Sequence, residues 1–93
     1  MASVTFAQTF TRVIRVLSRD TGKPEEDIHA ADSMENDLGY DAAGLRALST
    51  DLNSEFEAED LALTGDDTGD AETVNDVVQT TWENIPPHHK LSV

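Results

Sequence analysis

The chain has 93 residues, no cysteine, and 19 acidic side chains against 6 lysines and arginines, for a formal net charge of −13. Disulfides, thiolate chemistry and cysteine-based zinc sites are excluded. So strong a negative field repels nucleic acid and anionic membranes and favours basic protein surfaces.

The length suits one domain with a modest core, and an apolar fraction of 38% is enough for a small helical bundle. No apolar run sits behind a basic patch at the N-terminus, and no window approaches a membrane span. The expectation is a cytoplasmic, monomeric protein.

The first helix is predicted over residues 5–20. Phe6, Phe10, Val13, Ile14 and Leu17 follow the helical period, and Thr5 with Gln8 fits a capping box. Arg12, Arg15 and Arg19 lie off that apolar face. They read as a solvated face near a helix C-terminus, where cations are favoured, ahead of a basic docking patch. Gly22 and Lys23-Pro24 stop the helix. Ile28 then pins a short turn to the core. A polar, acidic loop follows from Ala30 to Tyr40, with Met34 as its apolar anchor.

Asp37-Leu38-Gly39-Tyr40-Asp41 closes that loop and launches the second helix, predicted over residues 42–56. Leu45, Leu48, Leu52 and Phe56 mark its buried face. Asp41 takes the N-cap position, where its carboxylate meets an orphan backbone N–H and the positive end of the helix dipole.

These residues resemble the acyl carrier protein family. The family pattern, Asp-Leu-Gly-x-Asp-Ser-Leu followed by a helix ending in Glu-Phe, is met by Asp37, Leu38, Gly39, Asp41 and Glu55-Phe56. The resemblance covers roughly residues 5–85. It implies an all-α, four-helix bundle, with a long loop between the first two helices and a short third helix. The whole chain, 1–93, would form one such domain, with residues 86–93 as a flexible tail.

In that family a serine carries 4′-phosphopantetheine. Here its position holds Ala42, which has no nucleophilic oxygen, so no cofactor is expected on this chain. The neighbourhood departs as well. Ala43 replaces a leucine, Gly44 and Ala47 replace common acids, Arg46 stands where a small apolar residue is usual, and Thr50 replaces an apolar partner contact. Asp41, Arg46, Asp51 and Glu55 remain the candidates for docking a basic partner. Asp32-Ser33-Met34 imitates the attachment motif in another register, but the helix would then start too late. Ser33 is therefore expected to serve the loop.

Residues 57–73 carry seven acids and no base. The third helix is predicted over Glu57–Leu63, with Gly65–Asp70 as a loop. That loop lacks the alternation and distant glutamate of a calcium-binding EF-hand, so non-specific cation condensation is expected. The last helix starts at Thr73, with Asp76 completing a capping box. It buries Val74, Val77, Val78, Thr81, Trp82 and Ile85, and Pro86-Pro87 ends it. His88 and His89 have no third ligand nearby in sequence and read as tail residues, so no metal is expected.

Nothing suggests an enzyme. His29 is alone in a loop, no glycine-rich phosphate cradle is present, and no acid pair sits in an apolar setting. The favoured reading is an acyl-carrier-like module that docks on enzymes of fatty-acid, polyketide or related acyl metabolism without carrying a thioester. Two others stand beside it. One is a working acyl carrier protein with its serine replaced; the other is an unrelated acidic module for basic proteins or cations. A single replacement would leave the neighbours typical, which Ala43, Gly44, Arg46 and Thr50 are not.

Overall fold

In a computed structural model that describes residues 3–91, the first helix, α1, runs Phe6–Thr21. Its start is fixed by the capping box: Thr5 Oγ1 accepts the Gln8 N–H at 3.0 Å, and Gln8 Oε1 accepts the Thr5 N–H at 3.0 Å. Its end is set by Gly22, whose φ of 77° lies in the left-handed region that a Cβ disfavours. Val13, Ile14, Val16 and Leu17 are buried, while Phe6 and Phe10 lie half-buried at the edge of the core.

The long loop is organised by its own backbone and by the start of the last helix. Met34 is wholly buried; its N–H donates to Glu72 O at 2.9 Å and its carbonyl accepts the Tyr40 N–H at 2.9 Å. The N–H groups of Val74 and Asn75 donate to Asp32 O and Ala30 O at 3.0 and 2.9 Å. These bonds satisfy orphan donors at a helix start, and they hold the loop without secondary structure of its own.

The second helix, α2, spans Ala42–Glu55 and is capped by Asp41, whose Oδ1 accepts the Gly44 N–H at 2.7 Å. Leu48, Leu52 and Phe56 are buried. Each such side chain is worth about 1.5–3 kcal/mol of transfer free energy, so this stripe anchors α2 in the bundle.

The third helix lies later than the sequence predicts. Residues Glu57–Glu59 form a single 3₁₀ turn that ends at Asp60, where φ is +59°. The chain then extends through Leu61–Leu63, and α3 is the short helix Gly65–Gly69. Two contacts cause the shift. The Asn53 side chain clamps Leu63 from both sides, accepting its N–H at 2.7 Å and donating to its carbonyl at 2.9 Å. Thr64 and Asp67 form a capping box that starts a helix at Gly65.

The last helix, α4, spans Val74–Asn84 behind the capping box of Thr73 and Asp76. Val74, Val77, Val78 and Thr81 are buried, and Trp82 packs edge-on against Phe6 with ring centroids 5.6 Å apart. The four helices make an all-α bundle in which α2 packs on α1 and α3, and α4 on α1 and α3. Among the described residues the extended pairings are two isolated bridges, Val4 with Lys90 and Ser33 with Thr73.

The predicted flexible tail is not a tail as far as Leu91. Pro87–His89 form a 3₁₀ turn; the Val4 N–H donates to His89 O at 2.8 Å and the Leu91 N–H to Val4 O at 2.9 Å. His89 is buried and the Lys90 ammonium lies 5.0 Å from the Trp82 ring centroid. The segment folds back because Val4 offers it a backbone partner and Trp82 an apolar face. Residues 92 and 93 lie outside the described residues.

Candidate functional site

Ala42 is the first residue of α2, and its methyl group is exposed. It lines an open cleft of about 750 Å³ between the loop, the start of α2 and the segment after α3. Tyr40, Leu45 and Ala71 give the cleft apolar surface, and Glu35, Asp41, Asp70 and Glu72 surround it with carboxylates. Asp41 is committed to the cap of α2. Ser33 also lines the cleft, but its Oγ accepts the Asn36 N–H at 3.0 Å, and its own N–H donates to Asp37 Oδ2 at 2.7 Å. This is the loop role that its sequence context implies.

The remaining docking candidates separate into three situations. Asp51 is exposed and stands beside Asp20. Arg46 runs its stem across the glycine face of α3: a Cβ at Gly65 would meet its guanidinium at 3.3 Å, and one at Gly69 its Cγ at 3.2 Å. Its Nη1 reaches Asp66 Oδ1 at 2.6 Å. Arg46 thus covers the α2–α3 seam, where Thr68 Oγ1 also donates to Leu45 O at 2.6 Å.

Glu55 does not point its charge at solvent. Arg12 Nε lies 3.0 Å from Glu55 Oε2, Arg19 Nη2 lies 3.2 Å from Oε1, and Arg12 Nη2 donates to the Glu55 carbonyl at 2.5 Å. Two arginines expected on a solvated face of α1 therefore turn this candidate acid inward, because the end of α2 is packed against α1. Arg12 also lies 3.0 Å from Oε1 of Glu59, whose side chain is only 6% exposed, and sits 4.2 Å from the Phe56 ring centroid. Burial works against the Arg12 charge, but Glu59 and Glu55 outweigh it and hold its pKa above the usual value.

Tyr40 carries a further perturbed group. Burial, followed by the charges of Asp20 and Asp51, raises its hydroxyl pKa, and that hydroxyl donates to Asp20 Oδ2 at 3.1 Å. His29 sits in an exposed turn, its Nδ1 3.7 Å from Asp32 Oδ2. The cleft at Ala42 thus offers shape, apolar walls and negative charge, but no nucleophile at the head of α2.

A second cluster joins residues far apart in sequence. His89 Nε2 stands 2.9 Å from Asp60 Oδ2, and the donor atoms of Asp60, His88 and His89 lie within 4.8 Å of one another. The sequence shows the two histidines, but not the acid that folds against them.

The chain matches no family model, no curated protein and no solved structure. The resemblance read from the sequence therefore has no support beyond its own residues: Asp37-Leu38-Gly39 and Asp41, the Glu55-Phe56 spacing, the loop before the motif, the acidity and the size.

Proposed function

We propose that this protein is an acyl-carrier-like docking module that engages an enzyme of acyl metabolism through its acidic face and carries no phosphopantetheine thioester. The observation that carries the reading is Ala42 itself. At the capped head of α2, on an exposed position beside an apolar-walled cleft, stands a methyl group where the family motif has its serine. The loop motif ahead of it, Asp37-Leu38-Gly39-Tyr40-Asp41, is otherwise complete. Docking in this reading falls to Asp41, Asp51 and the acids around the cleft. Glu55 is neutralised by Arg12 and Arg19, and Arg46 is spent on the α2–α3 seam. A partner surface rich in lysine and arginine complements what is left.

Intact-mass spectrometry after incubation with coenzyme A and a broad-specificity phosphopantetheinyl transferase tests the reading. The unaltered chain is expected to gain no phosphopantetheine, and Ala42→Ser is expected to gain one. An adduct on the unaltered chain, which peptide mapping would place at a serine such as Ser33 or Ser54, overturns the armless reading. Failure of Ala42→Ser to react would remove the claim that the head of α2 keeps an acyl-carrier recognition face.

A further inference from the structure

We propose that Asp60, His88 and His89 form a binding site for a divalent metal of the zinc class, and that the metal fastens the C-terminal segment to the turn after α2. Two neighbouring histidines in an extended chain point apart. Here the 3₁₀ turn Pro87–His89 brings their rings to 4.2 Å between centroids. Asp60 is placed by an unusual backbone: its φ of +59° is a conformation that side chains other than Gly, Asn and Asp seldom adopt. That turn brings its carboxylate to 2.9 Å from His89 Nε2.

The donor chemistry selects the metal. Two imidazoles and one carboxylate suit zinc and its first-row neighbours, whereas calcium and magnesium take oxygen donors. Metal–donor bonds of about 2.0–2.2 Å in a tetrahedron put donors about 3.4 Å apart. The His89–Asp60 pair at 2.9 Å needs only a small opening, and since all the donor atoms lie within 4.8 Å of one another, no pair needs to close by more than about 1.4 Å. The movement is available. The His89 side chain is 7% exposed and fixed, while that of Asp60 is 68% exposed and His88 lies on the surface, so both can swing onto it. Three protein ligands leave a fourth position to water.

Binding here would cross-link two parts of the chain: Asp60 closes the turn after α2, and His88 and His89 belong to the last turn, which the Val4 N–H already holds through His89 O. The site sits past the C-terminal end of α2, whose 14 residues span about 21 Å from Ala42. It therefore stands or falls independently of the acyl-carrier reading.

Calorimetric titration with zinc chloride, in about 0.15 M salt and excess magnesium to occupy the acidic surface, tests the proposal. One zinc per chain is expected, with shifts of the His88 and His89 imidazole resonances and a rise in thermal midpoint. His88→Gln changes an exposed residue, and Asp60→Asn keeps a side chain that tolerates the left-handed backbone. Each should leave the metal-free midpoint near that of the unaltered chain and weaken zinc binding at least about tenfold. Zinc binding that survives both changes, or that magnesium abolishes, would show condensation on the acidic surface and overturn the site. So would the absence of binding.

Discussion

Thr81 is wholly buried in α4, and among the described residues its hydroxyl has no hydrogen-bond partner. The contrast with its neighbours in kind is instructive. Thr9 and Thr21 donate to carbonyls four residues back at 2.9 and 2.7 Å, and Thr68 ties α3 to Leu45. A buried hydroxyl without a hydrogen bond costs about 1–3 kcal/mol in lost solvation. Thr81→Val exchanges it for a methyl group of similar size among Val74, Val77 and Val78. The variant should be more stable by about 1 kcal/mol, seen as a higher urea midpoint with an unchanged slope. A lower midpoint would mean that the hydroxyl is satisfied by bound water.

At the scale of elements, Arg12 is the rivet between α1 and the end of α2. It meets Glu55, the buried Glu59 and the face of Phe56. Among the described residues Glu59 Oε1 makes no aligned hydrogen bond, so the guanidinium 3.0 Å away is what offsets its burial. Arg12→Met would leave that carboxylate uncompensated and should cost about 3 kcal/mol in denaturant unfolding. Adding Glu59→Gln should recover much of the loss; no recovery would assign the cost to lost packing instead. None of this could be read from the chain, because Glu55 and Glu59 lie 43 and 47 positions beyond Arg12 and the pairing exists only once two helices cross. By contrast α1, α2 and α4 were legible, since apolar spacing and a capping residue are local signals. Residues 57–69 fold differently from what their sequence predicts, although a local signal is present. Thr64 and Asp67 have the spacing of a capping box, but a helix of glycines and acids shows no apolar stripe to recommend it. Asp60, His88 and His89 escaped for the opposite reason: His88 and His89 were visible, but only folding brings in the acid.

For the whole molecule, the net charge of −13 makes self-repulsion a general cost, and the structure places one instance of it at Asp20 and Asp51. Burial, then Asp51, raises the Asp20 pKa above its ordinary 3.8, while the Tyr40 hydroxyl and Arg19 pull the other way. An acid whose pKa rises on folding weakens the fold when ionised. The penalty is full at neutral pH and fades as pH falls through the raised value towards 3.8. Asp20→Asn removes the charge and keeps an acceptor for Tyr40. Most of the Asp20 side chain is in water, so the gain at neutral pH should be only a few tenths of a kcal/mol. It should shrink when salt shortens the Debye length from about 30 Å to about 3 Å, and shrink again in mild acid. Tyr40 supplies an independent reading, because it is the sole tyrosine and its alkaline absorbance reports one group. Burial remains in the variant but the Asp20 charge does not, so the Tyr40 midpoint should fall towards its ordinary 10 without reaching it. A stability gain insensitive to salt and pH, or a Tyr40 midpoint that does not move, would show that Asp20 acts through packing rather than charge.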